Sequence, residues 1–378
     1  MDHEVTPKKL LVFRDSYLPF SENFIVKHTA AVSKFKPSLF CRTRLLATPN
    51  HFPIPDFIID EQFGVAESQK IKYLRKSSLL SSTIKSFDAV LAHHCQDAWR
   101  ISKIVKQLNI PFLVMAHGSD VLKSDWSFPD HFGELALRGN WNRFSREVDR
   151  FIAVSDFVES GLLMRKIPKS KITRIYIGTG KSFQKSFGER KIDYLFVGRL
   201  TVEKGFLTFL ELIKKSRRHE RFSIIGSGPL EHELRKLIVE QNELARRVTF
   251  LGIRSGDEVK NVMSESKFVV IPSVGNRNGV AEGLPMVAME AFSTGTPVLC
   301  TNLGGLSEVL SMHGSLRIEP NNEENIQGVS SKYLHNWNSW SSLSFQAAES
   351  WKFHFNISRN IEIFEDILSE EIARKKSI

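Results

Sequence analysis

Short runs that are apolar at nearly every position recur along this chain, and helical patterns fall between them. The runs cover residues 10–14, 57–59, 89–93, 111–115, 151–154, 172–177, 194–198, 222–225, 248–252, 267–273 and 296–301. A strand that is apolar at every position, rather than at alternate ones, is covered on both faces. Helical patterns at 98–108, 141–148, 204–213 and 230–241 supply the covers. Strand and helix in alternation predict an α/β fold with parallel sheets, whose ligands gather at the carboxyl ends of the strands. At 378 residues the chain is too long for one ordinary core. Gly178 to Lys191 is rich in Gly, Ser and Lys and lacks apolar periodicity, which makes it the expected linker. The expectation is therefore two Rossmann-like domains, 1–182 and 183–352, and a segment 353–378 whose helix, from Ile357 to Ala373, crosses back to the first domain. From Asn321 onward the pattern is helical, and Trp337, Trp340, Phe345, Trp351, Phe353 and Phe355 are expected to pack inside.

The densest stretch runs from Lys267 to Thr301. It reads as strand, loop, helix and strand, with Pro285 in the first helical turn and Gly295 at the helix stop. Glu282 precedes the helix and Glu290 lies within it, roughly 7–8 Å along the axis from Pro285. A helix start offers unpaired amides and a positive dipole end, which suit a phosphate. Carboxylates on either side could grip hydroxyls flanking a diphosphate, which is the shape of a nucleotide-sugar. The stretch alone also fits a capping Glu282 and a surface Glu290.

Upstream, Gly198-Arg-Leu-Thr-Val-Glu-Lys-Gly205 sits between a strand and a helix. Arg199 and Lys204 can converge there on a diphosphate, the arginine as a planar fork and the lysine as a point charge. Gly226-Ser-Gly228 is a strand-end turn that lets backbone approach a ligand. It is no Walker loop, since no Gly-Lys-Ser/Thr follows.

In the first half, Met115-Ala-His-Gly-Ser-Asp120 ends a strand, so His117 can present its ring to a ligand and Asp120 can orient it or face an acceptor. His93-His94 ends another strand without an evident third ligand, so no metal site is expected. Cys41, Cys95 and Cys300 are too far apart for a metal or redox motif, and reduced thiols fit a cytoplasmic protein. No apolar run reaches bilayer length, and no signal peptide is evident. The whole charge surplus of +10 lies in residues 1–190, with 29 Lys and Arg against 19 Asp and Glu; residues 191–378 hold 23 of each. Basic surfaces of this kind face nucleic acid or anionic lipid. No nucleic-acid motif accompanies this one, and its cations are not interleaved with aromatics as in a stacking platform. Residues 68–86 set Lys70, Lys72, Arg75, Lys76 and Lys85 beside Ile71, Leu74, Leu79, Leu80 and Ile84. That pattern fits a basic amphipathic segment on an anionic membrane, or equally a solvated loop and helix.

Taken together, Gly-Arg-Leu…Glu-Lys-Gly at 198–205, Ile-Gly-Ser-Gly-Pro at 225–229, Phe-Leu-Gly at 250–252 and Glu-Gly-Leu-Pro…Met-Glu-Ala at 282–291 resemble the retaining glycosyltransferases of family 4. Pro-Phe-Ser-Glu-Asn-Phe-Ile at 19–25 is similar to the bacterial exopolysaccharide branch. The resemblance implies the GT-B fold, two Rossmann-like domains facing a central cleft. It implies transfer of a sugar from a nucleoside-diphosphate donor to a saccharide or lipid-linked acceptor with retained configuration, without metal or cofactor. On that resemblance Arg199 and Lys204 neutralise the diphosphate, Glu290 binds the ribose and Glu282 the donor sugar. Amides of Gly283, Leu284 and Met286 and the turn at Gly226 face sugar or phosphate, backbone near Ile253 meets the base, and His117 lies by the reaction centre. Two departures stand out. Pro285 replaces a second Gly found in many members, and Arg14 to Ser21 lacks their Gly-rich first loop. The alternatives are a non-catalytic scaffold of the same fold and a nucleotide-sugar epimerase.

Overall fold

The computed structural model describes residues 7–17, 22–44, 55–122, 132–181, 190–217, 219–275, 283–320 and 322–377. The chain divides into two compact units, Met1–Ile177 with Ile357–Ile378, and Gly178–Asn356.

The first unit is built on β1 (Lys9–Tyr17), β2 (Lys36–Arg44), β3 (Phe57–Ile58), β4 (Ala89–His93), β5 (Phe112–Ala116), β6 (Arg150–Ala153) and β7 (Ile172–Arg174). They form one parallel sheet in the order β3-β2-β1-β4-β5-β6-β7. Leu10, Leu11 and Val12 in β1, all of β4 and all of β5 are buried, as strands covered on both faces must be. β2 was not expected, because Lys36, Ser38, Arg42 and Arg44 break up its apolar run. The terminal helix Ile357–Lys376 packs on this unit. Glu365 accepts hydrogen bonds from the amides of Ser33 and Lys34, both at 2.6 Å, and Glu371 pairs with Arg150 at 2.7 Å.

The second unit holds β8 (Ile192–Val197), β9 (Phe222–Ile225), β10 (Val248–Gly252), β11 (Ser266–Ile271), β12 (Val298–Cys300) and β13 (Ser315–Arg317). This sheet is also parallel, in the order β10-β9-β8-β11-β12-β13. An aromatic core fills one face. Tyr194 stacks on Phe222 at 5.2 Å, Phe196 meets Phe206 edge-on at 5.1 Å, and Phe268 is fully buried beside them. Burying each such ring contributes about 1.5–3 kcal/mol. The Tyr194 hydroxyl is satisfied by Ser330 at 2.6 Å.

The crossing back starts at Ile357 because the turn before it is held in the second unit. Thr179 donates its amide to the Phe355 carbonyl at 2.8 Å, and Trp351 Nε1 donates to Thr179 Oγ1 at 3.0 Å. Of the six aromatics expected to pack near this end, Trp340, Trp351 and Phe355 are buried, whereas Trp337, Phe345 and Phe353 are exposed. A helix buries one stripe, and those three lie off it.

Candidate active site

Because both sheets are parallel, every loop that follows a strand leaves from the same edge. In the second unit that edge carries the loop 198–205 after β8, the turn 226–230 after β9, residues 253–255 after β10, residues 283–285 entering the helix Met286–Ser293, and 301–305 after β12. β8 and β11 are neighbours, but the chain leaves them toward opposite sides of the sheet, to β9 and to β12. This is the switch point where open α/β sheets bind ligands.

The loops are joined through backbone. Val274 donates its amide to the Glu203 carbonyl at 3.0 Å, and Leu200 exchanges bonds with the 227–230 turn (Leu200 N–H to Ser227 O 3.0 Å, Leu230 N–H to Leu200 O 3.1 Å). Two glycines permit this closeness. Gly205 has φ +70°, and a Cβ on it would lie 1.6 Å from the Pro272 carbonyl oxygen. Gly226 has φ +125°, and its Cβ would lie 2.0 Å from the Gly198 oxygen. Any side chain there would push the Arg199–Lys204 loop off β11 or off the 226–228 turn.

Arg199 is exposed on this edge and Lys204 is half-buried. Gly283 and Leu284 abut the 301–305 loop, since a Cβ on Gly305 would lie 2.0 Å from the Gly283 oxygen. Pro285, with ψ at 120°, sits just outside the helix rather than in its first turn, so the helix begins at Met286 without a capping side chain. Its opening amides therefore lack a side-chain acceptor at the N-cap. Glu290 lies one turn in, partly buried. Ile253 follows Gly252 (φ +67°) and is 63% exposed, offering an apolar surface at the sheet edge. Glu282 lies outside the described residues, as does Ser21. The residues read as a phosphate and ribose site thus share one edge of one sheet, on adjacent strands.

In the first unit, the carboxyl ends of β4 and β5 bring histidines together. His117 Nε2 and His93 Nδ1 are 3.0 Å apart and hydrogen-bonded to each other. Phe24 packs on the His117 ring at 5.0 Å, and His28 meets His93 edge-on at 5.7 Å. Burial pushes the imidazoles of His93 and His117 well below their ordinary range, helped by each one's neighbouring histidines and Arg14, and pushes His28 down to about 4. His117 is therefore an uncharged hydrogen-bonding ring with one nitrogen already engaged. Asp120 is buried and accepts from the amides of Cys95 (2.9 Å), His117 (3.0 Å) and Gly118 (2.7 Å). Both its oxygens accept from backbone, so it fixes the turn that carries His117.

Beside β1, where the family's Gly-rich loop is missing, stands a charge lattice. Arg14 pairs with Glu22 at 2.8 Å and with Asp97, and Asp97 also accepts the Asp15 amide at 2.9 Å. Desolvation raises the Asp97 carboxyl to about 6 against the opposing pull of Arg14. Asp15 is gripped by Arg42 through Nε (2.7 Å) and Nη2 (3.1 Å) and by Arg100. Arg14, Arg42, Asp97, Arg100 and the role of His93 were not anticipated. The signal available was charge inside otherwise buried elements, which requires partners. Arg75, expected on a basic surface, is instead buried. Its guanidinium lies 3.4 Å over the Trp99 ring and pairs with Glu147.

Two family descriptions match the chain: "Glycosyl transferases group 1" over residues 179–349 and "Glycosyltransferase Family 4" over 34–179. An uncharacterized glycosyltransferase of Methanocaldococcus jannaschii is 32% identical over 306 residues, 75% of this chain and 73% of that one. A putative colanic acid biosynthesis glycosyltransferase of Escherichia coli is 28% identical over 193 residues, 48% of this chain and 47% of that one. Among solved structures, Anabaena HepE in complex with UDP and glucose superposes with a TM-score of 0.74 at 16% identity, covering 96% of this chain and all of that one.

Proposed function

Since this chain belongs to the retaining glycosyltransferases of family 4, with the GT-B fold, we propose that it moves a sugar from a UDP-linked donor to a saccharide or lipid-linked acceptor in cell-surface polysaccharide synthesis. The observation that carries this is the shared edge at the β8/β11 switch point: the loop with Arg199 and Lys204 and the chain entering the 286–293 helix both follow adjacent strands. Breaking the bond between sugar and diphosphate builds negative charge on the leaving group and an oxocarbenium-like sugar. Arg199, Lys204 and the opening amides of the helix stabilise that charge where it grows. Glu290 holds the ribose hydroxyls, Glu282 the donor sugar, and Ile253 lies against the base. The leaving phosphate takes the acceptor proton on the face it departs from, so configuration is retained without an enzymic nucleophile. His117, held neutral, hydrogen-bonds the sugar. Uridine fits the resemblance to HepE, which was solved with UDP. The test is the anomeric configuration of the product by NMR, with UDP-sugars and saccharide acceptors supplied. The expected product keeps the donor's configuration, and an inverted product contradicts the mechanism.

The acceptor is placed by this proposal at the inner face of a membrane. No helix among the described residues is long and apolar enough to cross one. Contact would instead come from the helices Val65–Leu74 and Ser78–Ile84, which expose Tyr73, Leu74 and Leu79 beside Lys70, Lys76 and Lys85. Replacing Lys70, Lys76 and Lys85 by Gln should weaken cosedimentation with phosphatidylglycerol vesicles by roughly fivefold per charge. Unchanged cosedimentation removes the membrane from the proposal.

A further inference from the structure

The amino-terminal edge of the second sheet, away from the loops described above, holds a cluster that the proposed reaction does not use. His219 and Glu220 immediately precede β9, and His335 follows the helix Glu323–Leu334. One nitrogen of each imidazole and one carboxylate oxygen lie within 4.8 Å of one another. The two rings are 5.6 Å apart. Both histidines are exposed, while Glu220 is only 5% exposed and its Oε2 is buried without a hydrogen-bond partner. A buried carboxylate oxygen with no donor is costly. Asp193, the nearest acid, is engaged by Lys267 at 2.9 Å and by the Arg221 amide at 2.9 Å. A cation at the mouth of the cluster would satisfy the orphaned oxygen.

We propose that His219, Glu220 and His335 bind one divalent transition-metal ion of the zinc type. Two imidazoles and one carboxylate select Zn²⁺, Co²⁺, Ni²⁺ or Cu²⁺ over Mg²⁺ or Ca²⁺, which prefer oxygen-only sites. Bond lengths of about 2.0–2.2 Å require the ligand atoms to close to roughly 3.3 Å, and two exposed imidazoles have room to rotate that far. Arg217 opposes the ion. Its exposed guanidinium donates to His335 Nε2 at 3.1 Å and has to leave if that nitrogen is to bind. The bound metal pins the loop before β9 to the corner between the helices Glu323–Leu334 and Trp337–Ser350. The second of these packs on Met286–Ser293, the helix whose start lies at the proposed donor site. The role is bracing, and the site stands whether or not the donor assignment does.

The test is titration of the full chain with Co²⁺, followed by visible d–d absorption, together with the melting midpoint in Zn²⁺. The wild type should give saturable one-to-one absorption that Zn²⁺ displaces, and Zn²⁺ should raise its midpoint. E220Q should bind at least about tenfold more weakly, yet melt without metal at or above the wild-type midpoint, because an orphaned buried carboxylate is gone. R217A should bind more tightly. If E220Q does not fold, the double variant at the exposed positions, H219A/H335A, decides the matter through the same loss of absorption. Absence of a saturable Co²⁺ spectrum in the wild type overturns the proposal. So does a Zn²⁺ shift that persists in H219A/H335A, which would locate the metal elsewhere.

Discussion

Alanine at Arg199 or at Lys204 is expected to lower kcat by about 10²–10³-fold with little change in melting temperature. Arg199 is exposed, and an exposed side chain outside any buried network rarely shifts stability by more than about 0.5 kcal/mol. The catalytic effect is far larger because the cations meet a charge that grows only as the donor bond breaks. Interactions of that kind appear in kcat rather than solely in KM. Both side chains leave the same eight-residue loop, pinned to β11 through Gly205, so they should act on one diphosphate. The double variant should therefore lose less than the product of the single losses. Arg199→Lys should recover part of the rate, since it restores the charge without the planar fork. Near-normal kcat in both single variants would remove these residues from the chemistry.

The largest expected effect on stability lies in the other unit, at Asp15. Asp15 is 3% exposed, and its carboxylate is held by the guanidiniums of Arg42 and Arg100, residues that are 7% and 3% exposed. Asp15→Ala strands both cations in the interior, at an expected cost of about 3–5 kcal/mol. Urea denaturation should report it, and hydrogen exchange should localise it to β1 and β2, which carry Asp15 and Arg42. The exposed pair Lys34–Asp366 serves as the control, and Asp366→Ala should leave the urea midpoint unchanged. A loss below about 1 kcal/mol in Asp15→Ala would mean that water or rearrangement relieves the stranded arginines.

The two sheets were legible in the sequence because strands covered on both faces leave apolar runs that little else produces. β2 escaped notice for the complementary reason. Arg42 interrupts its run, and its partner Asp15 lies on another strand, 27 residues away. Arg75 was misjudged in the same way. A cation beside an amphipathic pattern suggests solvent, but here Glu147, 72 residues later, draws it inside over Trp99. Asp120 illustrates a subtler limit. Its position at a strand end was plain, but what its oxygens accept depends on how the amides of Cys95 and Gly118 fold around it. The glycine motifs announced turns, whereas the closeness of Gly205 to Pro272 joins the ends of β8 and β11, strands that sequence order does not reveal as neighbours. His93 could be seen ending a strand. That its ring bonds His117 required knowing that β4 and β5 are paired in register, His93 beside Met115.

The most direct measurement is calorimetric titration of UDP into the wild type and into the Arg199→Ala/Lys204→Ala double variant. Saturable one-to-one binding in the wild type, weakened at least about tenfold in the variant, is the result expected if the β8/β11 edge holds a nucleoside diphosphate. Equal affinity in the two proteins, or no binding of UDP by the wild type, would contradict it.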